Sequence, residues 1–214
     1  LAIRDMGGLP LVDGSKLMPD PILVGRNKQK VEEIAKRLSL SRFTTDLSHA
    51  LENPDDIIFF DSSTTQMRVE ILKNAIAAGK HIYCEKPVSE DLKGALEVVR
   101  FAKQKGVKNG VVHDKLYLPG LLKLKRLRDS GFFGRILSVR GEFGYWVFDG
   151  DMIPAQRPSW NYRKNDGGVI IKDMLCHWRY VLYNVVAPVK SVSCTVQVHI
   201  VERWDEAGQK YISD

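Results

Sequence analysis

The 214-residue chain is 44% hydrophobic, enough to bury a sizeable core and to exclude intrinsic disorder. Its 32 basic and 26 acidic residues give a net charge of +6, which suits phosphate-bearing ligands but falls short of a polybasic nucleic-acid arm. Cys84, Cys176 and Cys194 form no CxxC pair, which argues against a disulfide framework or metal site, and the absence of a long apolar run or signal-peptide pattern gives a soluble, cytoplasmic reading with no membrane partner.

Along the chain, short apolar runs alternate with stretches of helical period. Residues 1–6 read as the tail of a helix, 21–24 as a strand, 28–38 as a helix with Val31, Ile34, Ala35 and Leu38 on one face, and 56–60 as a strand. A helix over 65–78 stops at Gly79, 81–84 is a strand, 89–105 is a helix opened by a Ser cap and two acids, and 109–112 is a strand. This succession predicts an α/β fold with a doubly wound parallel sheet of right-handed crossovers.

After about residue 117 the character changes. A basic helix over 118–130 ends at Gly131, and 135–148 reads as a long strand carrying Phe143, Tyr145 and Phe148. Residues 149–168, interrupted by Pro154, Pro158, Gly167 and Gly168, read as a long functional loop, followed by a helix over 169–186 and a β-branched strand over 191–201. Two domains are expected, over 1–117 and 118–214. Lys123, Lys125, Arg126 and Arg128 read as the solvated face of an amphipathic helix, so no nucleic-acid partner is expected.

Three segments carry chemistry. Ala78-Gly79-Lys80-His81-Ile82-Tyr83-Cys84-Glu85-Lys86-Pro87 ends a strand on a Lys-Pro pair, and open α/β sheets bind ligands at such C-terminal strand edges, where the proline fixes the turn. Gly167-Gly168-Val169-Ile170-Ile171-Lys172-Asp173-Met174-Leu175-Cys176-His177 places Asp173 and His177 four apart, about 40° around a helix. A carboxylate beside an imidazole suits a general acid or base near neutral pH. The third segment is Gly131-Phe132-Phe133-Gly134-Arg135-Ile136.

Together these segments resemble, in the same order, the AGKHV..EKP, GGG..lD.g.H and SG.iGri motifs of the Gfo/Idh/MocA oxidoreductases, and the resemblance covers nearly the whole chain. It implies an N-terminal Rossmann-type sheet whose first strand and Gly-rich turn are missing, then a C-terminal α+β domain with a mostly antiparallel open sheet, also incomplete. The chain thus reads as part of a longer polypeptide. Within the motifs, Val169 replaces a glycine, Lys172 an apolar residue, and Arg68 stands where many members carry His.

The resemblance implies hydride transfer between a nicotinamide and a hydroxyl-bearing carbon, with Lys86, Asp173 and His177 as catalytic residues. Gly25, Arg26, Asn27, Ser62, Thr64, Glu85, Lys86 and Pro87 would hold the cofactor. Because Gly25-Arg26 stands where NAD enzymes commonly place an acid, NADP is favoured over NAD. Trp160, Tyr162, Arg163, Lys115 and Tyr117 would meet the substrate, since aromatic faces and cations suit a polyhydroxylated ring: a sugar, sugar derivative or inositol. A non-catalytic dinucleotide sensor or protein-binding member of the same fold is the rival reading. The resemblance also implies a homo-oligomer.

Overall fold

The structure, a computed structural model, describes residues 2–143, 158–168 and 170–214. Helix α1 (Ala2–Asp5) leads into a small antiparallel pair, β1 (Leu9–Pro10) and β2 (Lys16–Leu17). Strand β3 (Leu23–Val24) pairs in parallel with β4 (Phe43–Thr44) across helix α2 (Lys28–Arg37). Asn27 starts α2, accepting the Lys30 amide at 3.0 Å, and Val31 and Ala35 are its buried residues. Helix α3 (Leu47–Glu52) is capped in the same way by Asp46.

The main core lies farther on. Strands β5 (Ile58–Asp61), β6 (His81–Cys84) and β7 (Asn109–Val111) form a parallel sheet in that order, with Ile58 opposite His81 and Ile82 opposite Asn109. Helices α4 (Thr65–Ala77) and α5 (Leu92–Gln104) pack on it. Leu72 and Ile76 of α4, Ile82 and Cys84 of β6, and Val98 and Ala102 of α5 share one apolar cluster. Leu72 and Ile76 are fully buried, each contributing about 1.5–3 kcal/mol relative to exposure. Gly79, at φ 76°, ends α4 in the left-handed conformation that glycine adopts without strain. On the opposite face, Ile58, Phe60 and Tyr83 remain exposed. The parallel sheet is in two pieces, because no described strand is bonded to both β3 and β5.

The second half begins with a 3-10 turn at Asp114–Tyr117 and helix α6 (Pro119–Asp129), which packs against α7 (Cys176–Val185). Tyr180, Val181 and Val185 of α7 form the second core, with Leu116 and Leu121 against them. Strands β8 (Glu202–Trp204) and β9 (Lys210–Ile212) make an antiparallel hairpin. This is a Rossmann-type parallel unit followed by an α+β unit with a small antiparallel sheet.

Several expectations are corrected. The helix over 89–105 starts at Leu92, and its cap is Asp91, whose carboxylate accepts the Gly94 amide at 2.7 Å; Ser89 instead accepts the Asp91 amide. Residues 135–143 and 191–201 form no strand, and among the described residues neither has a partner that completes a ladder. The expected positions 144–157, including Tyr145 and Phe148, and Val169 lie outside the described residues. Among the described residues, no helix is long and apolar enough to cross a membrane.

Candidate functional site

Lys86 lies two residues past the end of β6, at the C-terminal edge of the parallel sheet. Its Nζ bonds the Asp173 carboxylate at 2.6 Å and the Asp173 carbonyl at 2.8 Å, joining the two halves of the chain. The two side chains are 17% and 14% exposed, so this ion pair is only lightly screened by water.

Arg68, on α4, holds the base of this site. Its Nε bonds the Asp61 carboxylate at 2.5 Å, while Nη1 and Nη2 donate to the Pro87 and Ser63 carbonyls. One guanidinium therefore ties the loop after β5 to the Lys86-Pro87 turn. Sequence reasoning noted Arg68 only as a departure from the family pattern; the available signal was an Asp ending a strand seven residues before an Arg on the following helix.

Asp173 lies in a short π-helical stretch, Ile171–Leu175, that runs into α7. Its approach is set by the preceding turn. Gly167 has φ 79°, and a side chain on Gly168 would place its Cβ 2.3 Å from the Trp160 carbonyl oxygen. Only glycine fits such a backbone-on-backbone contact. The segment carrying this turn is clamped from outside, because the Lys164 amide donates to Asp214, Ser159 donates to Glu206, and the Gln66 side chain donates to the Asn165 carbonyl at 2.6 Å.

His177, 4% exposed, sits one turn along from Asp173, and its Nδ1 bonds the Tyr180 hydroxyl. Burial pushes its proton affinity down, Lys86 and Lys115 push it further, and Asp114 and Asp173 pull it partly back. The ring is therefore mostly neutral at pH 7, as a proton acceptor requires. Burial also raises the Cys176 thiol. For Asp114, burial works to raise the carboxyl, but the bond and charge of Lys115 and the charge of His177 outweigh it and leave it low.

The remaining expected residues fall in distinct places. Ser62 and Thr64 are exposed at the start of α4, and the Thr64 side chain makes no capping bond. Gly25 follows β3, where a Cβ would meet Val31 at 2.6 Å; Arg26 is exposed, and Asn27 is spent on the α2 cap. The Glu85 amide donates to the Asp61 carbonyl at 2.9 Å, and its carboxylate accepts the Lys86 amide at 3.2 Å. Lys115 bonds Asp114 at 3.1 Å and Tyr117 points to solvent, 73% exposed. Tyr162 is buried under the Arg203 guanidinium, 4.0 Å from its ring, and Arg163 lies 4.2 Å over the Tyr211 ring, so both are engaged in packing. Trp160 is exposed.

A dinucleotide fits these groups by chemistry. At the C-terminal edges of parallel strands lie a close-packed glycine, exposed hydroxyls at a helix N-terminus, an exposed guanidinium and a lysine ammonium, a donor set suited to phosphate and ribose oxygens.

Comparison with known proteins gives the family of both halves of the chain. Residues 21–113 match the family model described as "Oxidoreductase family, NAD-binding Rossmann fold", and residues 121–209 match the GFO/IDH/MocA C-terminal domain. D-xylose dehydrogenase of Paenarthrobacter nicotinovorans is 57% identical over 99% of this chain and 54% of its own length. Levoglucosan dehydrogenase of Pseudarthrobacter phenanthrenivorans is 25% identical, over 87% of this chain and 47% of its own. A solved levoglucosan dehydrogenase in complex with NADH and levoglucosan superposes with a TM-score of 0.80 at 25% identity, covering 93% of this chain and 53% of that one. The chain spans about half the length of the curated relatives it matches.

Proposed function

The chain belongs to the Gfo/Idh/MocA oxidoreductase family, and on that footing we propose that its protein moves a hydride between a nicotinamide cofactor and a hydroxyl-bearing carbon of a sugar. The observation that carries the reading is the meeting of Lys86 with Asp173, one helical turn from the buried His177. Sugars, sugar derivatives and inositols are the substrate class, with D-xylose the first to try, given the name of the 57% identical relative.

Ser62, Thr64 and Glu85 would hold ribose and phosphate groups of the cofactor, with Gly25 and Arg26 at the adenosine end and Pro87 fixing the turn. The exposed Arg26 guanidinium suits a 2′-phosphate, which favours NADP over NAD. When bound, the nicotinamide supplies the hydride acceptor or donor. In the oxidative direction His177 takes the hydroxyl proton as the C–H hydride leaves, so the carbon–oxygen bond becomes a carbonyl. Lys86 holds the reacting oxygen and steadies its developing negative charge. Asp173 orients Lys86 and the neighbouring hydroxyls, and Trp160, Lys115 and Tyr117 are the residues proposed to grip the sugar ring. Subunits are proposed to associate as homo-oligomers in the cytoplasm.

The test is nicotinamide-linked absorbance of the natural full-length polypeptide with D-xylose, levoglucosan and inositols, using each cofactor in turn. Turnover with one of them, reduced by at least about a hundredfold in Lys86→Ala and His177→Ala, supports the reading. Cofactor binding without turnover on any sugar would favour the sensor instead. Arg26→Ala should weaken NADP more than NAD.

A further inference from the structure

His177 is held on one side by groups that no motif contains. The Tyr180 hydroxyl bonds its Nδ1, and the Asp114 carboxylate stands 3.8 Å from the same nitrogen. The Tyr180 ring lies 4.1 Å from the His113 ring, and the Lys115 backbone amide faces its hydroxyl. Tyr180 is thus fixed from the 3-10 turn at Asp114–Tyr117 as well as from its own helix.

A neutral imidazole carries one proton, and the nitrogen bearing it cannot act as a base. A carboxylate and a phenolic oxygen, both close to Nδ1, favour the tautomer with the proton there. The Nδ1–H then donates to the Tyr180 oxygen and the lone pair lies on Nε2, which no described residue bonds. Resting on the oxidoreductase reading, we propose that Tyr180 and Asp114 are positioning residues that keep the His177 proton on Nδ1 and present Nε2 as the base for the substrate hydroxyl.

The charged and titratable groups facing His177 are Lys86 from the turn after β6, Asp114 and Lys115 from the segment after β7, and Asp173, Cys176 and Tyr180 from its own helical run, with His113 packed behind on the Tyr180 ring. Lys86 and Lys115 oppose an imidazolium, while Asp114 and Asp173 favour it. Removing the Asp114 charge leaves the two lysines less opposed, so the proton affinity of His177 falls.

The experiment reads the His177 ring nitrogens by NMR in the full-length protein, alongside pH profiles of turnover. The wild type is expected in the Nδ1–H tautomer, and Tyr180→Phe and Asp114→Asn should each give a mixture of tautomers. In Tyr180→Phe, kcat should fall about tenfold with little change in KM, the scale of one lost hydrogen bond. In Asp114→Asn, the acid limb of kcat/KM should move to lower pH, because a base with weaker proton affinity is free at lower pH. A wild-type Nε2–H tautomer, or no change of tautomer in either variant, overturns the proposal. The NMR arm decides even if no sugar is turned over, which separates this inference from the reading it rests on. Asp114 is partly exposed, so its variant keeps the test alive if Tyr180→Phe fails to fold.

Discussion

Arg68 is 2% exposed and serves three acceptors from two loops, so it acts as a spacer between the ends of β5 and β6. Truncating it as Arg68→Met leaves the Asp61 carboxylate buried without its cation, held only by the Ser63 amide, and should cost about 3–5 kcal/mol in urea unfolding. Arg68→Lys should recover only part of this, because a single ammonium cannot reach all three acceptors. His177 and His113 provide a second prediction at this scale. Burial lowers both below the ordinary value of 6.5, so the folded state binds these protons less readily than the unfolded chain. Well above pH 6.5 both states are neutral and neither histidine alters stability. As pH falls from there towards the folded values, the unfolded chain gains protons first and stability drops, levelling once the folded rings also protonate. Urea midpoints measured between about pH 7.5 and about pH 5.5 should fall, and fall less in His177→Gln.

Among the elements, the Gly167-Gly168 turn sets where the π-helical stretch and α7 begin. Gly168→Ala places a methyl against the Trp160 carbonyl and should move Asp173 away from Lys86, lowering both thermal midpoint and turnover. Gly120→Ala is the contrasting case, because a Cβ there meets nothing within 4 Å near the start of α6, and it should stabilise by about 0.5–1 kcal/mol in the same melting assay. The alternation of β6 and the helices flanking it were legible because periodicity and glycine stops are local properties. The strands expected over the described residues 135–143 and over 191–201 were not, because a strand-like run records a preference whereas a ladder needs a partner elsewhere in space. The site divides in the same way. Lys86, Asp173 and His177 could be read from motifs, but Arg68, Asp114 and Tyr180 gain meaning only when folding brings them to atoms far along the chain or around the helix. Tyr162 and Arg163 also stack against Arg203 and Tyr211, contacts that no motif announces.

For the molecule as a whole, the unequal distribution of ladders and buried side chains should appear in hydrogen exchange. Amides of Ile82 to Cys84 and of α4, within the main cluster, should be the slowest to exchange. Amides over 135–143 and 191–200, which form no ladder, should exchange within the first time points, and equal protection would contradict the arrangement of sheets. The Lys86 to Asp173 link also bears on the order of events in synthesis. Its partners are 87 residues apart, so at about 5–20 residues per second a ribosome delivers the second some 4–17 s after the first. Once β7 has also been made, and until Asp173 follows, the described parallel sheet β5–β7 can pair while Lys86 still lacks this carboxylate. The charged pair therefore forms only after the sheet that carries its lysine, and a polypeptide released before Asp173 would present Lys86 without its carboxylate partner.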